Sequence, residues 1–180
     1  MEFDEQYSES FVALHALAKV RARIWAALDH ELQEREQIPI TWFEVLARVA
    51  QSDGALPMHE LASALLSSPS GMTRLVDRIE LAGLVRRTPH PSDRRVTLVT
   101  LTDTGDELLE RVMPHIKRVV VEGFASRLSE EQARSLRSIL EQLLEATSGL
   151  EPDDGQCSPE QMATKTPVSA ITSRHGQELA

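Results

Sequence analysis

From residue 10 to about residue 36, apolar side chains return at three- and four-residue steps: Phe11, Leu14, Leu17, Ala18, Ile24, Trp25, Leu28 and Leu32, with no glycine or proline before Pro39. This period predicts one long amphipathic helix. Thr41 opens TWFE, where its hydroxyl can cap a helix start and Glu44 can reach back to it, so a second helix is expected through about Gln51 and is ended by SDG. Pro57 supplies the φ of a helix start for a short third helix, with Leu61, Ala62 and Leu65 as its buried face and Leu66 as a further candidate.

Ser68 followed by Pro69 reads as an N-cap and first helical residue, opening a helix to about Ala82 with Met72, Leu75, Val76 and Ile79 inward. Gly83 stops it in a left-handed conformation that glycine accepts cheaply. Residues 85–88 and 96–101 have strand character, and PHPSD between them is turn chemistry. Thr102 caps another long helix, with Leu108, Leu109, Val112, Ile116, Val119, Val120 and Phe124 as its apolar stripe and Pro114 expected to bend it. Ser129 with Gln132 forms a capping box for a last helix carrying Leu136, Ile139, Leu140, Leu143 and Leu144. Residues 148–180 hold three prolines, three glycines and no aromatic, which predicts a disordered tail.

The expected fold is therefore mainly α with a small β wing. It comprises a helix (1–38), a winged helix-turn-helix unit (39–102), two further helices (103–147) and the tail (148–180). The outer helices are more apolar than a sixty-residue winged unit needs. Pairing of two chains into a homodimer accounts for that excess, the alternative being packing within one chain.

The formal net charge of −9 at first opposes a nucleic-acid partner. Its distribution changes the picture, because residues 69–95 carry six arginines against three acids, +3, which leaves −12 for the rest. A small basic surface on an acidic body suits specific duplex binding and discourages non-specific binding. The single cysteine, Cys157, excludes an internal disulfide, and no run of about 20 apolar residues is present to span a bilayer. The first ten residues are acidic and polar, unlike a secretion signal, so a cytoplasmic protein is expected. His15, His30, His59, His90, His115 and His175 are scattered without metal-site spacing, and neither a nucleophile elbow nor a phosphate-cradling glycine loop occurs. No metal, cofactor or catalysis is expected.

The stretch ELASALLSSPSGMTRLVDRIELAGLVRRTPHPSDRRVTLVTLTDTG resembles the MarR (multiple antibiotic resistance regulator) family of winged helix-turn-helix transcriptional regulators. Most specific are TRLVDRIELAGLV (73–85), the D-R-R at 93–95 and L-T-x-x-G at 101–105, and the likeness extends over about residues 11–144. The resemblance implies a homodimeric, ligand-responsive repressor on a pseudo-palindromic operator, with recognition helices in the major groove and wings in the minor groove. Ser68, Ser70, Thr73 and Arg74 fall at the recognition-helix start: the serines suit phosphates, Thr73 a thymine methyl or base edge, and Arg74 guanine or phosphate. Asp93, Arg94 and Arg95 fall at the wing tip, where the resemblance gives Asp93 the task of orienting a guanidinium into the minor groove. Arg78, Arg86 and Arg87 are weaker candidates for the DNA backbone. An ion pair with Asp77 or Glu80 serves Arg78 as well, and strand alternation leaves at most one of Arg86 and Arg87 facing DNA.

The resemblance also implies a crevice for a small aromatic or phenolic effector, to which Trp25, His30, Trp42 and Phe43 could contribute, unless they are core packing. Two departures from the family pattern concern the turn before the recognition helix, where Leu66 and Ser67 replace glycine and an apolar residue, and Pro57, which stands in place of a capping Ser or Thr. A winged-helix protein-interaction module without DNA binding is the competing expectation.

Overall fold

The computed structural model describes residues 5–52 and 54–147. The expected tail, with Cys157 and His175, lies outside them. Helix α1 (Glu5–Glu36) starts five residues before the position expected from its apolar period. Helix α2 (Ile40–Ala50) corrects the capping expectation, since Thr41 lies inside the helix and Pro39 takes the cap position with no side-chain cap bond of its own. The acceptor for the orphan donor at this helix start comes from α1 instead. Asp29 Oδ1 takes the Ile40 N–H at 2.8 Å, so the second helix begins on a carboxylate supplied by the first.

Strands β2 (Val85–Pro89) and β3 (Thr97–Leu101) form the expected hairpin. A third strand, β1 (Leu56–Pro57), pairs with β3 through Leu56↔Val99 and Pro57↔Leu98, giving the order β1-β3-β2. Two residues are too few to show an alternating pattern, and Pro57 also stands at the cap of the next helix, α3 (Met58–Ala64). Helix α4 (Pro69–Leu81) opens as expected, the Ser68 hydroxyl accepting the Gly71 N–H at 3.2 Å with Pro69 behind it.

Both helices of this pair close in the same way. After α4, Leu84 N–H reaches Ile79 O and Gly83 N–H reaches Glu80 O, with Gly83 at φ 77. After α3, Ser67 N–H reaches Ala62 O and Leu66 N–H reaches Ser63 O. This double bond pattern requires a left-handed residue at its corner. At the second corner that residue is Leu66, at φ 48. Its side chain is 85% exposed, so it does not join the buried face of α3.

Helix α5 (Asp103–Gly123) is capped by Thr102, whose Oγ1 accepts the Gly105 N–H at 3.1 Å and donates to Gly83 O at 2.7 Å. A β-carbon on Gly105 would lie 2.1 Å from Leu84 O, so the L-T-x-x-G glycine is required by the close approach of α5 to the wing base. Phe124 terminates α5 rather than extending its stripe, and a short 3₁₀ turn (Ala125–Arg127) leads to α6 (Glu130–Ala146). The Ser129–Gln132 capping box of α6 is complete.

One core joins these elements. Leu28 and Leu32 of α1, Val45, Leu46 and Val49 of α2, Leu61, Met72, Val76, Ile79, Val99 and the α5 stripe from Leu108 to Ile116 are all buried together. Each side chain so removed from water contributes about 1.5–3 kcal/mol before entropy is counted. Arg111 Nε and Nη2 reach the two carboxylate oxygens of Glu36 at 3.2 and 3.1 Å, and Arg118 meets Glu31 at 2.8 Å, pinning α5 along α1. Two stretches stand apart from this core. Val12, Leu14, Leu17 and Val20 on α1 are 41–62% exposed, and α6 has no buried residue, with Ile139, Leu143 and Leu144 at 50–69%. No helix among the described residues is long and apolar enough to cross a membrane.

Candidate nucleic-acid interface

Helix α4 divides its residues among three directions. Met72, Val76 and Ile79 are buried, whereas Ser70, Arg74 and Arg78 follow one another at four-residue steps and are exposed. Thr73, Asp77 and Glu80 make up the third row, toward the wing. Short side chains at the helix start let its axis approach a groove floor, and the unpaired N–H groups there favour an anion. Ser68 is occupied by its cap bond and lies 3.4 Å from the Ser70 hydroxyl. Thr73 donates its hydroxyl to Pro69 O at 2.8 Å, so toward a duplex it offers an acceptor and a methyl group. Among the described residues, the Arg74 and Arg78 guanidinium groups have no hydrogen-bond or ion-pair partner. The ion pair that Arg78 could have made is made instead by Arg87.

Arg87 lies on the edge strand β2. Its guanidinium contacts Asp77 Oδ1, Glu80 Oε2 at 3.0 Å and Thr73 O at 3.1 Å, while its own N–H donates to Glu80 Oε1 at 2.8 Å. The side chain is only 23% exposed, with two carboxylates and a carbonyl arranged round it, which replaces the expected phosphate contact by an internal one. Arg86 lies across the partner strand, with Nε on Thr100 Oγ1 at 3.1 Å.

At the wing tip, His90 N–H bonds Val96 O and Val96 N–H bonds Asp93 O, closing the loop. Asp93 Oδ1 accepts the backbone N–H of Arg95 at 3.0 Å. The acid thus shapes the turn that carries Arg94 and Arg95 and holds a backbone N–H, in place of the guanidinium expected from the resemblance. Both arginine side chains are exposed and free of protein partners among the described residues. A cleft of about 320 Å³ separates helix from wing, and Thr73, His59, Arg87 and Arg95 line it. The structure thereby brings Thr73 and Arg95, 22 positions apart in sequence, to the walls of one opening.

A second groove, of about 290 Å³, runs between α1 and the start of α2, lined by Trp25, Asp29, Gln33, Pro39, Ile40 and Thr41. Of the residues expected at an effector crevice, only Trp25 lines it. Trp42 and Phe43 pack against the core, and His30 is exposed. Arg21 stacks 5.0 Å from the Trp25 ring centroid. Burial pushes the Glu44 carboxyl up, partly offset by the Arg21 charge and a hydrogen bond with Trp25. The Trp42 indole N–H is buried with no acceptor among the described residues. No apolar period could have revealed the roles of Asp29 and Gln33, because both are polar residues facing a groove that exists only once α2 has docked.

Sequence and structure comparisons point the same way. A sequence model of the MarR family matches residues 36–96. The chain is 32% identical over 143 residues to the HTH-type transcriptional repressor MdtR of Bacillus subtilis, covering 79% of this chain and 88% of that protein. It is 30% identical to the HTH-type transcriptional regulator PecS of Dickeya dadantii, covering 73% and 80%. Among solved structures it is similar to Sco3205, a MarR family transcriptional regulator from Streptomyces coelicolor crystallised with DNA, with a TM-score of 0.72, 31% identity and coverage of 82% and 95%. With the capped helix α4, the arginine-tipped wing and the Thr102–Gly105 junction in the same order, the chain belongs to the MarR family.

Proposed function

We propose that this protein is a homodimeric transcriptional repressor that binds a pseudo-palindromic operator, α4 of each protomer entering the major groove and each wing the flanking minor groove. The observation that carries this is the set of four exposed guanidinium groups without protein partners among the described residues, Arg74 and Arg78 on α4 and Arg94 and Arg95 on the wing, on a chain whose net charge is −9. A basic patch on an otherwise acidic chain steers an anionic partner to α4 and the wing. Ser68, Ser70 and Thr73 complete the contact with α4, and Asp93 holds the wing turn. Residues 39–102 form the DNA-binding unit. Residues 1–38 and 103–147 pair the protomers through the exposed α1 stripe and α6, which supplies the two-fold symmetry of a palindrome.

The α1–α2 groove suits a small aromatic effector, since Trp25 offers a stacking face and Asp29 and Gln33 offer polar partners within a volume of small-molecule size. The protein acts in the cytoplasm, where its operator is. A band-shift assay on the protein's own upstream intergenic DNA tests the proposal. The wild type is expected to bind, and Arg94→Ala with Arg95→Ala to weaken binding. Absence of specific binding at low salt would leave a protein-interaction module as the function.

A further inference from the structure

We propose that Arg87 is a positioning residue that locks α4 to the wing, so that the major-groove and minor-groove readers present themselves to DNA as one rigid body. The proposal rests on the DNA-binding function above and adds to it a device that makes no contact with DNA itself. Four bonds define the device. The Arg87 guanidinium spans Asp77, Glu80 and the Thr73 carbonyl, and Glu80 uses its other oxygen on the Arg87 backbone N–H. That N–H points away from β3, because the ladder bonds of the hairpin fall on the residues either side, as His90 to Val96 and Thr102 to Leu84 show. Glu80 therefore satisfies the open edge of the sheet while it holds the side chain of the same residue.

The clamp reaches over two turns of α4, from Thr73 to Glu80, and so fixes both the distance and the tilt of that helix against the hairpin. A planar guanidinium spreads its donors over separate nitrogens at fixed angles, Nη1 here on the two carboxylates and Nη2 on the carbonyl, whereas the three donors of an ammonium all leave a single nitrogen. Its position also settles an electrostatic conflict. Asp77 and Glu80 are carboxylates on the helix proposed to enter a phosphate-lined groove, where bare acids would be repelled. Arg87 draws both of them toward the wing and neutralises one of the two charges. Without the clamp the two readers would adopt a range of relative orientations, and operator binding would have to freeze them out, a cost that non-specific association through phosphates does not incur.

Fluorescence polarisation of the full chain, with a footprinted operator duplex and a scrambled duplex of equal length across a salt series, separates the possibilities. Asp77→Asn with Glu80→Gln removes two negative charges per protomer near DNA, yet operator affinity is expected to fall at least tenfold while the scrambled duplex binds as well or better. Arg87→Lys is expected to lose nearly as much operator affinity as Arg87→Gln, with the salt slope unchanged in both. Combining Arg87→Gln with the two acid changes should cost no more than Arg87→Gln alone. Tighter binding of both duplexes by the acid variant would overturn the proposal. So would a flattened salt slope in Arg87→Gln rescued by Arg87→Lys, the behaviour of a phosphate contact. The acid variant decides the matter if Arg87→Gln fails to fold. A wild type that binds neither duplex would instead overturn the DNA-binding function on which the clamp depends.

Discussion

Leu66 occupies a conformation at φ 48 that costs an L-residue with a β-carbon about 1–2 kcal/mol, and its exposed side chain recovers little of that by burial. Leu66→Gly is therefore expected to stabilise the protein by about 1 kcal/mol, read as a shift of the urea midpoint at constant slope. Gly105 is the opposite case. Gly105→Ala would force a methyl into the Leu84 carbonyl and should destabilise by about 1–3 kcal/mol or more, in the same measurement. Caps at Ser68, Thr102 and Ser129 could be read from sequence because each bond closes within three residues. The α2 cap could not, because its acceptor, Asp29, lies eleven positions before the donor and no local pattern links them.

Elements depend on pairs that meet only after folding. Four-residue spacing already separated Arg74 and Arg78 from the buried row of α4, and the turn chemistry placed Arg94 and Arg95 at a tip. Their exposure follows from those patterns. That Asp77 and Glu80 would meet Arg87 rather than Arg78 depends on the distance and tilt between helix and hairpin, which sequence spacing does not carry. Removing both Arg94 and Arg95 should weaken operator binding by about 2–6 kcal/mol at 1–3 kcal/mol per contact and reduce the slope of log affinity against log salt, measured by polarisation titration. The seam between α1 and α5 makes stability depend on pH. Hydrogen bonds from Arg35 and Arg118 hold the Glu31 carboxyl below the ordinary carboxylate range. A carboxyl depressed in the folded state adds stability above its unfolded value, and that contribution is lost as pH falls through the folded one. The stability gap between wild type and Glu31→Gln should thus be widest near neutral pH and close in acid, as thermal melts across pH will show.

For the whole molecule, the surplus of apolar residues in the outer helices was visible in the sequence, but which of them the protomer covers was not. Leu28 and Leu32 go into the core, whereas Leu14 and Leu17 on the same stripe do not, because α2 and α5 meet only the later half of α1. Leu14→Asp with Leu143→Asp leaves the protomer core untouched and should convert the proposed dimer to monomers in sedimentation velocity. Operator affinity should fall with it, since one winged unit can grip only one half-site.

Both indoles of this chain, Trp25 beneath the Arg21 guanidinium and Trp42 with its N–H shut away from water, sit at the junction of the first two helices, and none sits near the hairpin. Intrinsic emission is consequently a built-in optical gauge of that junction alone. A compound library can be screened by ultraviolet fluorescence with no label attached: a hit that wedges between those helices will dim or shift the signal, while one that merely competes for the nucleic acid will leave the emission unchanged.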